Sequence, residues 1–445
     1  MSSLSHTSSS GADLTARLLR ASVAPARRGH ARARRSASTI TSVLVACGLV
    51  TYVALSSPTT GDYLIGAPVA ADNAGPAIAA LSHGNFAGFV SQQPLMGLLS
   101  LLLRAPFVAL TGALGGGQLV LYRVGTLICL LPAGLLAARL AVAPLRGTRT
   151  GSSITVSACG LVAAGALLIS PPVLNAVRFG HPEEVLTATL AAVALLAAYD
   201  GRAILTGVLL GAAIGTKDWA LIAVLPTFIA LPAGRRRAAL LAGGGVALAL
   251  SAPLPLLDPA AFARASHALG ATRLVNTLSA WWPLGTHTAG LPAAWPAVQT
   301  LPGFLTKAVA LPVGVAVATG LALVGSVGRP GARLRARGRC VDAFALLCLL
   351  AVIRCVADTG PVEYYYVALV VPLAVWESAI LRRLPLVTLL SVAAVWLTYV
   401  RGPALTPDLL NGLTLAWTGV LAGYLVFRAF RVGVDPRSEL DMKAG

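Results

Sequence analysis

The stretch Pro94–Gly112, PLMGLLSLLLRAPFVALTG, decides how this chain is threaded. It is apolar enough to cross a bilayer, yet Arg104 falls at its middle, where a charge facing lipid is costly. Were it a full crossing, every later arginine cluster would change sides. A re-entrant or tilted helix, packed on protein at the outer side, keeps the clusters together and gives Arg104 a protein environment. The expected fold is therefore all-α: a polytopic helical membrane protein of about 12 spans, plus that re-entrant or surface helix in the first external loop.

Composition sets the same frame. The chain has 445 residues, of which 56% are hydrophobic and 11% charged, with a mean hydropathy of +0.79. A soluble protein carries about 25% charged residues, so lipid is the solvent here and membrane lipid the first partner. Apolar runs lie near 40–57, 118–143, 154–170, 185–199, 203–216, 218–233, 238–257, 305–327, 342–357, 365–381, 384–400 and 412–429. Helices are their default, because every backbone amide in hydrocarbon must be paired within its own segment. Nothing shows the alternation of an outer-membrane barrel.

The net charge of +18 does not point to nucleic acid. Most arginines form short clusters between apolar runs: Arg146 and Arg149, Arg202, Arg235–Arg237, Arg329–Arg339, Arg382 and Arg383. That distribution marks cytoplasmic loops. Residues 1–38 read as a disordered basic cytoplasmic arm and 39–431 as the transmembrane domain, with external loops 58–117 and 258–304. Residues 432–445 read as a cytoplasmic tail. The six cysteines show no C-x-x-C spacing, so neither a zinc site nor a disulfide framework is indicated.

With the N-terminus inside, acids and histidines of five loops meet on the outer face. Asp72 leads them. Transfer of a glycosyl group to a hydroxyl needs a carboxylate to orient the acceptor oxygen and take its proton. Asp72 reads equally well as the N-cap of a helix expected over Ala74–Leu81. Arg104, Arg123, Arg178 and Lys217 are cations that a phosphate at the membrane surface would meet. Headgroup anchoring or pairing with an acid is the plainer role of each. Lys217, one of three lysines, ends the glycine-rich run Gly207–Lys217; its plainer role is a salt bridge to Asp218 or snorkelling. His181 with Glu183 and Glu184 offers donors for a divalent metal, but the spacing matches no strict ligand motif. No metal or other cofactor is therefore indicated. Tyr364–Tyr366 and Trp281–Trp282 read as interfacial belts, or as a wall on which a sugar face stacks. Glycines 115–117 and 243–245 read as close helix packing rather than phosphate loops.

In order, the landmarks are Asp72-Asn73, a short helix ending at Gly84, Gln93-Pro94-Leu95 and Tyr122-Arg123. This arrangement resembles the multi-spanning (GT-C type) glycosyltransferases that use polyprenyl-phosphate sugars. Gly180-His181-Pro-Glu-Glu-Val-Leu186, Gly207–Lys217 and Ala220–Pro226 resemble the bacterial family 87 mannosyltransferase-like branch. The resemblance covers about residues 40–235 and implies Asp72 as the catalytic base, with Lys217 and Arg123 as donor-phosphate contacts. It further implies a bacterial plasma membrane location with an extracytoplasmic active face, and a polyprenyl-phosphate sugar donor. The acceptor would be a glycolipid, glycan or protein. Substrate contacts are expected from Arg178, Arg104, His181, Glu183, Gln93 and Tyr365. Asn73 stands where related enzymes often have a second acid, and Gln93 where some have His. Two other readings are a flippase or transporter of lipid-linked envelope precursors, and a non-catalytic membrane partner.

Overall fold

The computed structural model describes residues 40, 42–55, 74–94, 97–142, 153–286, 297–309, 312–314, 316, 320 and 342–430. It is about 81% helical, and the chain is an all-α membrane protein. The expected arm, the tail, Asp72 and Asn73 lie outside the described residues. Among those residues the one sheet is a two-stranded antiparallel ribbon in the 258–304 loop, β1 (Leu274–Asn276) with β2 (Val298–Thr300).

Five described helices are long and apolar enough to cross a membrane. They are Leu119–Ala141 in α5 (Gln118–Val142) and Gly160–Arg178, which joins α6 (Ser153–Ile169) to α7 (Pro171–Arg178). The others are α8 (Pro182–Tyr199), Leu386–Ala404 containing α16 (Leu386–Arg401), and Pro407–Ala429 of α17 (Pro407–Phe430). Shorter apolar helices are α1 (Ser42–Leu55), α4 (Leu98–Ala113), α9 (Ala203–Ile214) and α14 (Ala343–Ala357). Another, Asp218–Ala230, is a 3-10 turn leading into α10 (Val224–Ala230). The expected apolar runs thus recur as helices, apart from 305–327, most of which lies outside the described residues, and length qualifies five of the described helices as crossings.

The centre is made by α8, α14 and α15 (Val367–Val375), which are buried on nearly all sides. Their sequences lack a polar face, and a helix apolar all round belongs in the interior. By contrast, α16 and α17 turn Leu390, Leu397, Val420 and Phe427 outward. Lipid tails are as apolar as leucine, so close contact between small residues does the packing. Gly207 and Gly211 of α9 lie against α11 (Arg236–Ser251): a Cβ there would stand 2.3 Å from the Ala239 oxygen and 2.4 Å from the Gly243 oxygen.

The bundle has two unlike ends. At one, the 258–304 loop is sewn to the helix ends: Ser279 Oγ donates to the Asp358 carbonyl at 2.7 Å and Thr277 Oγ1 to the Pro407 carbonyl at 2.6 Å. At the other, the Ala343 amide donates to the Tyr199 hydroxyl at 3.2 Å, and Arg235 to the Gly201 carbonyl. There too, Trp376 Nε1 donates to Asp342 Oδ2 at 2.8 Å, under the Arg428 guanidinium. This second end carries Arg202, Arg235–Arg237, Arg383 and Arg428.

Helix α4 is tied to the first end. Its entry is pinned by Gly97 N to Thr216 O at 2.8 Å and Leu99 N to Gly215 O at 3.1 Å. Beyond its last turn the chain re-enters the bundle through α5, whose Tyr122 hydroxyl donates to the Val177 carbonyl at the same end. At 1.5 Å per residue α4 rises about 24 Å, against about 30 Å of hydrocarbon. It packs under α2 (Ala74–Ser82) and α3 (Phe86–Gln92) through Ala77, Ile78, Phe89, Leu101 and Val108.

Candidate functional site

Glu183 is the hub of the first end. His181 occupies the N-cap position of α8, Pro182 follows with its fixed φ, and Glu183 and Glu184 fill the first turn. Acids are favoured there by the positive end of the helix dipole. Both carboxylates are buried, and burial of a charge is tolerated only where partners surround it. One Glu183 oxygen accepts from Arg104 of α4. The other lies 3.1 Å from His181 Nδ1 and 3.5 Å from Lys217 Nζ. Lys217 also stands 3.8 Å from Glu184 Oε1, and Glu184 Oε2 accepts from Trp219 Nε1 at 2.7 Å. Arg104 Nε reaches Cys129 Sγ at 3.2 Å.

A second layer continues from Trp219. The Arg354 guanidinium lies over the rings of Trp219 (5.1 Å) and Tyr365 (4.4 Å), a cation–π sandwich. Its Nε is buried without a hydrogen-bond partner. The His181 ring stacks on Tyr364 at 4.6 Å, and Tyr364 meets Tyr365 edge-on at 5.2 Å. Among the described residues, then, Arg104, Lys217 and Arg354 gather round two carboxylates and an aromatic turn. The cations come from α4, the loop after α9, and the last turn of α14. Such a place can hold an anion by exchanging it for part of the existing pairing.

Of the residues expected at the site, Arg104, His181, Glu183, Lys217 and Tyr365 come together. Lys217 pairs with Glu183 and Glu184, not with the neighbouring Asp218. Arg123 is half-buried on α5 with its Nε unpartnered, outside the contacts just described. Arg178 is exposed at the end of α7. Gln93 ends α3 in the left-handed region at φ 41°, and its amide donates to the Val90 (2.9 Å) and Leu254 (3.2 Å) carbonyls. It acts as a helix stop. Asp72 lies outside the described residues; α2 begins two positions after it.

Trp281 Nε1 donates to the Ala357 carbonyl at 2.7 Å and Trp282 Nε1 to Asp408 at 2.9 Å, pinning the loop to α14 and α17. Tyr366 is buried against Trp417. Sequence reasoning missed Arg354 and the Glu184–Trp219 pair. The available signal was an arginine in the last turn of an otherwise apolar helix. No group of three or more His, Cys, Asp or Glu able to hold a metal occurs among the described residues. Glu184 turns from His181 toward Lys217 and Trp219. No known protein family, curated protein or solved structure matches the chain.

Proposed function

We propose that this chain is a membrane glycosyltransferase, moving a hexose, mannose before others, from polyprenyl phosphate to an extracytoplasmic glycolipid, glycan or protein. One observation carries the reading: Lys217, Arg354 and His181 meet at the bundle end to which α4 is tied, and α4 packs on the helix that follows Asp72. In the reaction the acceptor hydroxyl oxygen bonds to the anomeric carbon as that carbon's bond to the phosphate oxygen breaks. The hydroxyl proton passes to the Asp72 carboxylate. Polyprenyl phosphate leaves with the bonding electrons, its charge met by Lys217 and Arg354. Direct displacement inverts the anomeric centre. The arginine-rich end faces the cytoplasm by the positive-inside rule, in a bundle of about 12 spans whose site opens outward from a bacterial plasma membrane.

The test is a membrane assay with radiolabelled polyprenyl-phosphate mannose. Asp72→Asn should lower transfer by about 10²-fold or more, and Lys217→Ala should do so comparably. Transfer that survives Asp72→Asn removes the proposed base. A second reading is favoured by the depth of the Arg104–Glu183–Lys217 network, since ionisable groups among membrane helices mark substrate or ion paths. Labelled lipid that changes leaflet without sugar transfer would establish a flippase instead.

A further inference from the structure

Glu363 is a buried acid outside the charge cluster, and unlike Asp358 and Glu377 it faces no cation in an ion pair among the described residues. It opens the 3-10 turn Glu363–Tyr366 and is 8% exposed. Asn175 Nδ2, from α7, donates to its Oε2, while its Oε1 is buried with no hydrogen-bond partner. Leaving such an atom unsatisfied is costly, and in a folded protein it calls for a reason. Two aromatic residues stand close to the pair along the chain, and their rings meet each other. Phe179 lies one helical turn beyond Asn175, to whose carbonyl its own amide donates at 2.8 Å, and its ring is 45% exposed. Tyr364 follows Glu363 directly, 6.2 Å from Phe179 between ring centres.

We infer that Asn175, Glu363, Phe179 and Tyr364 form a subsite for the hydroxyls and ring face of a neutral sugar. The identification of that sugar with the transferred or accepting hexose rests on the transferase reading above. An amide and a carboxyl side by side supply both donors and acceptors, which a polyol needs and a phosphate does not. The rings supply the apolar surface on which the C–H face of a pyranose packs, in the usual division of labour within a ligand site. The Glu363 oxygen left without a partner is an acceptor for a sugar hydroxyl, and the Asn175 amide beside it is a donor. One residue further along the same turn, Tyr365 carries the Arg354 guanidinium at 4.4 Å. A neutral sugar and the phosphate attached to it would thus find matched halves on adjoining residues.

The full chain in nanodiscs, titrated with methyl α-mannoside, methyl α-glucoside, methyl α-galactoside and methyl α-arabinoside, gives the test by saturation-transfer NMR. At least one glycoside should show saturated ring protons, undisplaced by inorganic phosphate. Glu363→Ala and Phe179→Ala should each weaken the signal at least tenfold, whereas Glu363→Gln, which still accepts, should retain it. Phe179, being exposed, keeps the test sound should Glu363→Ala fail to fold. No saturation by any of the four, or full saturation in the folded Phe179→Ala chain, overturns the subsite. Saturation without mannosyl transfer in the radiolabel assay removes the transferase reading and leaves the subsite standing; transfer without saturation does the reverse.

Discussion

At the scale of single residues, Glu183 shows what burial demands. Its side chain has no exposed surface, and the Arg104 side chain facing it is 1% exposed. Breaking a buried pair costs about 3–5 kcal/mol when the other partner is left alone; Lys217 and His181 still face Glu183 here, so that figure is the upper end. Arg104→Met should therefore lower the unfolding free energy of the detergent-solubilised chain by that order. Arg104→Met combined with Glu183→Met should regain part of it, because neither member of that pair is then buried alone and Lys217 keeps Glu184. Glu363 behaves oppositely. Burial raises its carboxyl pKa, with the Asn175 hydrogen bond opposing in part. A raised folded-state pKa means that this group's contribution is fully present below the unfolded value, about 4.3, and is lost as pH rises through the folded one. Melting temperatures measured from pH 4 to 7 should show this loss in the wild type, and Glu363→Gln should flatten it.

At the scale of helices, the contact between α9 and α11 is set by the absence of side chains. A leucine at Gly211 would collide with the Gly243 backbone, whereas Gly245 faces open space on the other side of α11. Gly211→Leu should cost about 1–3 kcal/mol or more, as overpacking does. Gly245→Leu should leave the melting temperature within error. The comparison matters for the site, since Lys217 leaves the end of α9 and any shift of that helix moves its ammonium relative to Glu183. Helix α4 is held in the same economical way: a Cβ on Gly97 would lie 2.0 Å from the Gly215 oxygen. That approach keeps Arg104 within reach of α8.

At the scale of the molecule, the separation of charge between the two ends makes topology measurable. His83 is exposed on the α2–α3 turn, and Arg236 is exposed at the opposite end of the bundle. In intact cells His83→Cys should react with a membrane-impermeant maleimide, and Arg236→Cys only after permeabilisation. Equal labelling of both would refute the orientation proposed. The order of apolar helices was legible in the chain because lipid asks little more of a span than length and hydropathy. Helix 74–82 was legible as well, as was the need of Arg104 for a protein neighbour. The chain also marked Lys217, His181 and Glu183 as residues of interest, since charges amid apolar runs stand out. Their partners were not legible: Glu183 meets an arginine 79 positions away, and Asn175 meets Glu363 across 188. By itself, then, the sequence determined an all-α membrane protein, because hydropathy acts locally along the chain. Only the tertiary structure decided which charges neutralise one another and which buried oxygens, Glu363 Oε1 among them, are left over, because pairing inside a bundle depends on which helix ends pack together.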